Sequence, residues 1–149
     1  MSMRACLALF ATLWLAACAN GPYGNFAERT SPAVNQQLAQ ATVRQLAVVH
    51  PPASTRLRFA QETRDGFGTA LLSTLRASGY SVQEFDPKAQ PASAARGVVP
   101  ALPLNYVVDT PKDTQLLRVI LRVGPETLSR AYGVQNDRLL AAGAWVRKE

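Results

Sequence analysis

Cys18 closes the run Leu15-Ala16-Ala17-Cys18, at the end of a short apolar stretch near the N-terminus. A cysteine in that setting can be acylated once the chain is cut before it. The surrounding residues look like a bacterial lipoprotein signal. Arg4 supplies a small positive region, Ala5 to Trp14 is apolar except for Thr12, and the small residues Ala16 and Ala17 precede the cut. The apolar run is too short for a membrane-spanning helix, which needs about 20 residues. The expectation is therefore a leader over residues 1–17 that is removed and a lipid anchor on Cys18. One acyl chain such as palmitate holds a protein to a membrane only marginally, whereas several make release negligible. Ala19 and Asn20 follow Cys18, with no aspartate directly after it. By resemblance to known sorting signals, that favours the periplasmic face of the outer membrane.

Other reactive side chains do not assemble into a reaction centre. Cys6 leaves with the leader, so the mature chain has no thiol for a disulfide or a cysteine-bound metal. His50 is the single histidine and sits beside Pro51-Pro52, with no nucleophile elbow nearby. Its expected part is to favour the C-terminus of a helix as a cation. Gly66-Phe67-Gly68 lacks the remainder of a phosphate or dinucleotide loop. Asp109 and Asp113 flank a turn, where aspartates satisfy backbone groups. Glu62 and Asp65 read as charges at a helix start. The reading assigns no catalytic, cofactor-binding or metal-ligating residue, no cofactor, and no enzyme activity.

The formal charge of the whole chain is +6, from 16 Lys and Arg against 10 Asp and Glu. Arg44, Arg56, Arg58, Arg76, Arg96, Arg118, Arg122, Arg130 and Arg138 are scattered, without a basic run or interleaved aromatics. That pattern argues for a solvated basic surface and against nucleic acid as a partner.

The elements that carry these residues follow from local signals. Residues 18–30 are a polar tether containing Asn20, Gly21, Pro22, Gly24 and Asn25, with Tyr23 and Phe26 available to a lipid interface. Residues 31–149 form one domain, long enough to bury a core. Ser31-Pro32 opens a helix in which Val34, Leu38, Ala41, Leu46 and Val49 share a broad face, and Pro51-Pro52 ends it. Leu57 and Phe59 alternate with Arg56 and Arg58 in a half-buried strand. Asp65 caps a second helix from Gly66 to Ser78, with Phe67, Leu71 and Leu75 on one face and Gly79 as the left-handed stop. Tyr80 to Phe85 is a strand, parallel to the preceding one across the helix. Asp86 to Pro103 is a loop rich in Ala, Pro and Ser.

The last third reads as a meander. Leu104, Tyr106 and Val108 share a face, as do Leu117, Val119, Leu121 and Val123, with Arg118 and Arg122 opposite. Gly124-Pro125 and Gln135-Asn136-Asp137 are turns around a strand from Thr127 to Val134. A final strand runs from Leu139 to Arg147. Its small residues Ala141, Ala142, Gly143 and Ala144 suggest close approach of another backbone or a helix. The fold class is α+β, two helices packed on a mostly antiparallel sheet in the order α-β-α-β-β-β-β-β.

Two stretches carry a resemblance. One runs from Phe67 to Tyr80, Phe-Gly-Thr-Ala-Leu-Leu-Ser-Thr-Leu-Arg-Ala-Ser-Gly-Tyr. The other is Leu104-Asn105-Tyr106-Val107-Val108-Asp109, continuing to Leu128-Ser129-Arg130-Ala131-Tyr132. With the lipoprotein signal, they resemble the conjugal transfer lipoprotein family TrbH over Thr55 to Val134. The resemblance implies a structural component of a type IV secretion, mating-pair apparatus. Its partners would be protein components of the channel, and homo-oligomers within a ring would suit such a channel. Only Cys18 carries over as a functional position. The alternative is a lipoprotein regulator of an envelope enzyme such as a peptidoglycan synthase. Arg118, Arg122 and Trp145 are the candidate contact residues, and a place as a peripheral core aromatic is equally open to Trp145.

Overall fold

The computed structural model describes residues 23–27, 30–89, 97 and 99–149. The leader, Cys18 and the centre of the 86–103 loop lie outside the described residues. Helix α1 spans Pro32–Val49. The Ser31 hydroxyl accepts from the Val34 N–H at 3.2 Å, and Pro32 takes the first helical position. His50 is the C-cap, and Pro51 and Pro52 follow. Helix α2 spans Gly66–Ala77. One carboxylate oxygen of Asp65 caps it by accepting from the Gly68 N–H at 2.8 Å. Gly79, at φ +87°, turns the chain out in the left-handed region.

Eight strands form one open mixed sheet: β1 Gly24–Asn25, β2 Arg56–Phe59, β3 Ser81–Gln83, β4 Leu102–Asp109, β5 Leu117–Val123, β6 Glu126–Gln135, β7 Arg138–Ala141 and β8 Val146–Lys148. The main path is β3-β2-β4-β5-β6-β7. β2 and β3 are parallel across α2, as the strand-helix-strand pattern predicts. β4 to β7 form the expected antiparallel meander. β2 also lies parallel to β4, which makes the sheet mixed.

Three features depart from the local reading. Gly24–Asn25, inside the segment read as a tether, forms a short parallel strand beside Val107 and Val108. The last strand divides in two, both halves pairing with β6. The pairing register shifts across Ala142–Trp145, and Gly143 sits there at φ +129°. A Cβ on Gly143 would meet nothing within 4 Å, and Ala141 to Ala144 are exposed. Close backbone approach is thus not why these residues are small. They lie at an edge where the chain bulges outward, with little to pack against.

The core lies between the helices and one face of the sheet. Leu38, Leu46, Leu57, Phe59, Phe67, Leu71, Leu75, Leu104, Tyr106, Val119 and Leu121 are fully buried. On α1 the buried stripe is Val34, Asn35, Leu38, Ala39, Thr42, Val43 and Leu46, while Ala41 and Val49 are only half-buried. The helix packs against both the sheet and α2, so its buried arc takes in two polar residues. Thr42 donates its hydroxyl to the Leu38 carbonyl at 2.8 Å. Asn35 faces Gly66 at the helix crossing, where a Cβ would come within 2.6 Å of its amide nitrogen.

Candidate functional site

The helices cover one face of the sheet, and among the described residues no element packs over the other. Side chains on a strand alternate between faces. Since Leu104, Tyr106 and Val108 point to the core, Asn105, Val107 and Asp109 point out. The same rule sends Arg118, Ile120 and Arg122 outward on β5, and Thr127, Ser129 and Ala131 outward on β6. Register then lays these residues in rows. Asn105, Arg122, Thr127 and Lys148 form one row. Val107, Ile120, Ser129 and Val146 form the next, and Asp109, Arg118 and Ala131 the third. An apolar middle row therefore lies between two rows that carry charge.

The charge on this face is one-sided. Arg56 and Arg58 point out from β2, opposite to buried Leu57 and Phe59. Arg58, Arg122 and Lys148 are exposed and have no ion-pair partner among the described residues. Among the described outward strand residues, Asp109 is the one carboxylate, and Arg118 holds it. Arg118 donates from Nε at 2.9 Å and from Nη2 at 2.6 Å to its two oxygens. This bidentate bond raises the pKa of the guanidinium further, against the smaller opposing effect of burial. Arg122 donates to the Tyr23 hydroxyl at 3.0 Å, which places Tyr23 over this face.

The chosen contact residues separate in space. Arg118 and Arg122 lie on the uncovered face. Trp145 does not: it is half-buried at the core margin, edge-on to Tyr132 with ring centroids 6.4 Å apart. The Arg130 guanidinium stands 5.4 Å from the Tyr132 ring centroid, where a cation is attracted to the ring face. Cys18 lies outside the described residues.

Several other polar groups tie the elements together. His50 Nε2 lies 3.2 Å from Glu126 Oε2, and Arg147 grips the same carboxylate at 2.9 and 3.1 Å. These contacts tie the end of α1 to β6 and β8. Arg147 foremost, then His50, holds the Glu126 carboxyl below its ordinary range, against partial desolvation. The Tyr80 hydroxyl donates to the His50 carbonyl at 2.7 Å, and burial pushes its pKa up to about 12. The second Asp65 oxygen accepts from the Tyr106 hydroxyl, while the Gln61 side-chain oxygen accepts from the Tyr106 N–H at 2.8 Å. Burial, and secondarily the neighbouring Asp65, raises the Tyr106 pKa. The Asp65–Tyr106 link escaped sequence reasoning. The available signal was an inward tyrosine in an apolar strand, whose hydroxyl needs a partner. Among the described residues no group of three His, Cys, Asp or Glu is placed to hold a metal, and no helix is long and apolar enough to cross a membrane. A groove of about 260 Å³ lies between α1 and β6–β7, lined by Gln37, Gln40, Arg44 and Arg130 among others.

A family model described as conjugal transfer protein TrbH matches residues 20–149, most of the chain. The chain belongs to the TrbH family. No curated protein and no solved structure matches it. Membership implies involvement in conjugal transfer, with an envelope-associated role alongside other components of the secretion apparatus. The match takes in both quoted stretches, and also β7, β8 and the 86–103 loop. Phe67–Tyr80 is α2 with its glycine stop, and Leu104–Tyr132 is the β4-β5-β6 meander, so the recognised residues are the packing frame of the fold.

Proposed function

We propose that the protein is a lipid-anchored structural component of a conjugative type IV secretion apparatus. Lipid on Cys18 holds it at the periplasmic face of the outer membrane, and the folded domain binds other proteins of the channel. The observation that carries this reading is the family match beginning at residue 20, two positions after the cysteine of the signal-like run. The side-chain geometry supports it, because the clustered polar groups fasten helices to the sheet: Asp65 to Tyr106, and Glu126 to His50 and Arg147.

The test has two parts. Metabolic labelling with a palmitate analogue should mark the wild-type chain and not Cys18→Ser, which should also leave the membrane fraction. Labelling retained by Cys18→Ser would refute the anchor. Affinity capture from detergent-solubilised envelopes of cells carrying the transfer genes should recover channel proteins in fixed ratio. Recovery of a cell-wall enzyme in their place would favour a regulatory role.

A further inference from the structure

We propose that the uncovered face of the sheet lies against an anionic lipid surface, with Arg58, Arg122 and Lys148 toward the headgroups. The inference rests on the Cys18 anchor. Its independent support is the path of the chain into the sheet. β1 runs parallel to β4 and pairs with Val107 and Val108. On that same edge β2 already pairs with Leu102 to Leu104, and Gln61 takes the Tyr106 N–H. Tyr23, just before Gly24, therefore cannot continue along that edge and must lie toward one face. Tyr23 shows which: its hydroxyl reaches Arg122, an outward residue of β5 on the far side of β4.

Four residues separate Cys18 from Tyr23, and the five Cα-to-Cα steps between them span at most about 18 Å when fully extended. An acylated Cys18 would hold this face within that distance of the bilayer at all times. Contact then becomes an intramolecular event at high effective concentration. The composition of the face fits the interface it would meet. Arg58, Arg122 and Lys148 stand along one end of the sheet on β2, β5 and β8, each two strands from the next, so all three can face one surface and be attracted to it within a screening length of about 8 Å. Beside them lies the apolar row of Val107, Ile120 and Val146. Cations beside apolar side chains are what a peripheral protein presents to anionic headgroups. Phosphatidylglycerol would supply the negative charge.

The test uses the acylated full-length protein reconstituted into vesicles, with a nitroxide label on Thr127→Cys in the cationic row or on Val48→Cys, exposed on α1. Flotation with pure phosphatidylcholine vesicles reads the anchor alone. A chain that does not float there overturns the anchor and the inference with it. With floating protein, the Thr127→Cys label should lose water-soluble quencher accessibility severalfold when phosphatidylglycerol is included, and the Val48→Cys label should not. Raising the salt to about 1 M, where screening acts within about 3 Å, should restore accessibility. Arg58→Glu with Lys148→Glu should remove the protection while flotation is unchanged. Equal accessibility on both lipids, or protection indifferent to salt and charge reversal, would overturn the inference. So would protection seen only in native envelopes, which would assign the face to a protein.

Discussion

Gly68 is the position where a single methyl group should do most damage. It is the third residue of α2, and a Cβ there would overlap the Tyr106 hydroxyl and come within 2.9 Å of the Thr63 Cα. Tyr106 has no room to retreat, since it is fully buried with its ring edge-on to Phe59 and Phe67. Gly68→Ala should thus cost about 1–3 kcal/mol in overpacking. Pushing the hydroxyl off Asp65 leaves a buried polar group unpaired, for about 1–3 kcal/mol more. The better helix propensity of alanine offsets up to about 1 kcal/mol. A net loss of about 3 kcal/mol is expected, a large part of the 5–15 kcal/mol that stabilises a typical domain. Urea unfolding monitored by circular dichroism measures it. The decisive comparison adds Tyr106→Phe, which alone should cost about 1 kcal/mol for its hydrogen bond. Without the hydroxyl the most severe overlap is gone and the Thr63 backbone is the next contact, so the double variant should be less destabilised than the two losses summed, by at least about 1 kcal/mol. Strict additivity, or a Gly68→Ala protein as stable as wild type, would refute the account of this contact.

Further outcomes follow from the same packing. Leu71→Ala, at a fully buried site under α2, should destabilise by about 2–5 kcal/mol, and an unchanged melting transition would show that its side chain is not in the core. Stability should fall as pH rises from about 10 towards 12, because burial raises the Tyr80 pKa to about 12 from 10.0, and the unfolded chain gives up its proton first. Unfolding midpoints across that range measure it, and Tyr80→Phe should flatten the dependence. On the acid side, Glu126 is held below 4.5 chiefly by Arg147, so its contribution is present above that pH and lost as pH falls through the lowered value. Arg147→Gln should reduce this acid sensitivity, read from the same midpoints at low pH.

Local signals located both helices because their ends are set by nearby atoms. Ser31-Pro32, Asp65, Gly79 and Pro51-Pro52 act within one turn of the backbone they start or stop. The alternation in Leu104–Asp109 and Leu117–Val123 was legible for a similar reason: a half-buried strand writes its face into every second residue. The buried Asn35 and Thr42 were not legible, since a polar residue gives no sign that a second helix will cover it. For Trp145 the sequence left an interface role and a peripheral core position equally open, and the fold decides for the core margin beside Tyr132. The site itself was legible only in part. Arg118 and Arg122 could be placed opposite the core face, but the row that joins Arg122 to Lys148 depends on the register of three strands.

The sequence by itself determined the α+β class, the extent of the two helices, the parallel pair around α2 and the meander after it, because each follows from interactions a few residues apart. It also carried the residues by which the family is recognised. Tertiary structure alone decided that β2 lies between β3 and β4, that Gly24–Asn25 joins the sheet, that the last strand breaks at Gly143, and that Gly68 has no space for a side chain. Those outcomes depend on pairings and contacts between residues far apart in the chain. Their energies come from surface buried jointly by several elements, and no short stretch of sequence encodes which elements will meet.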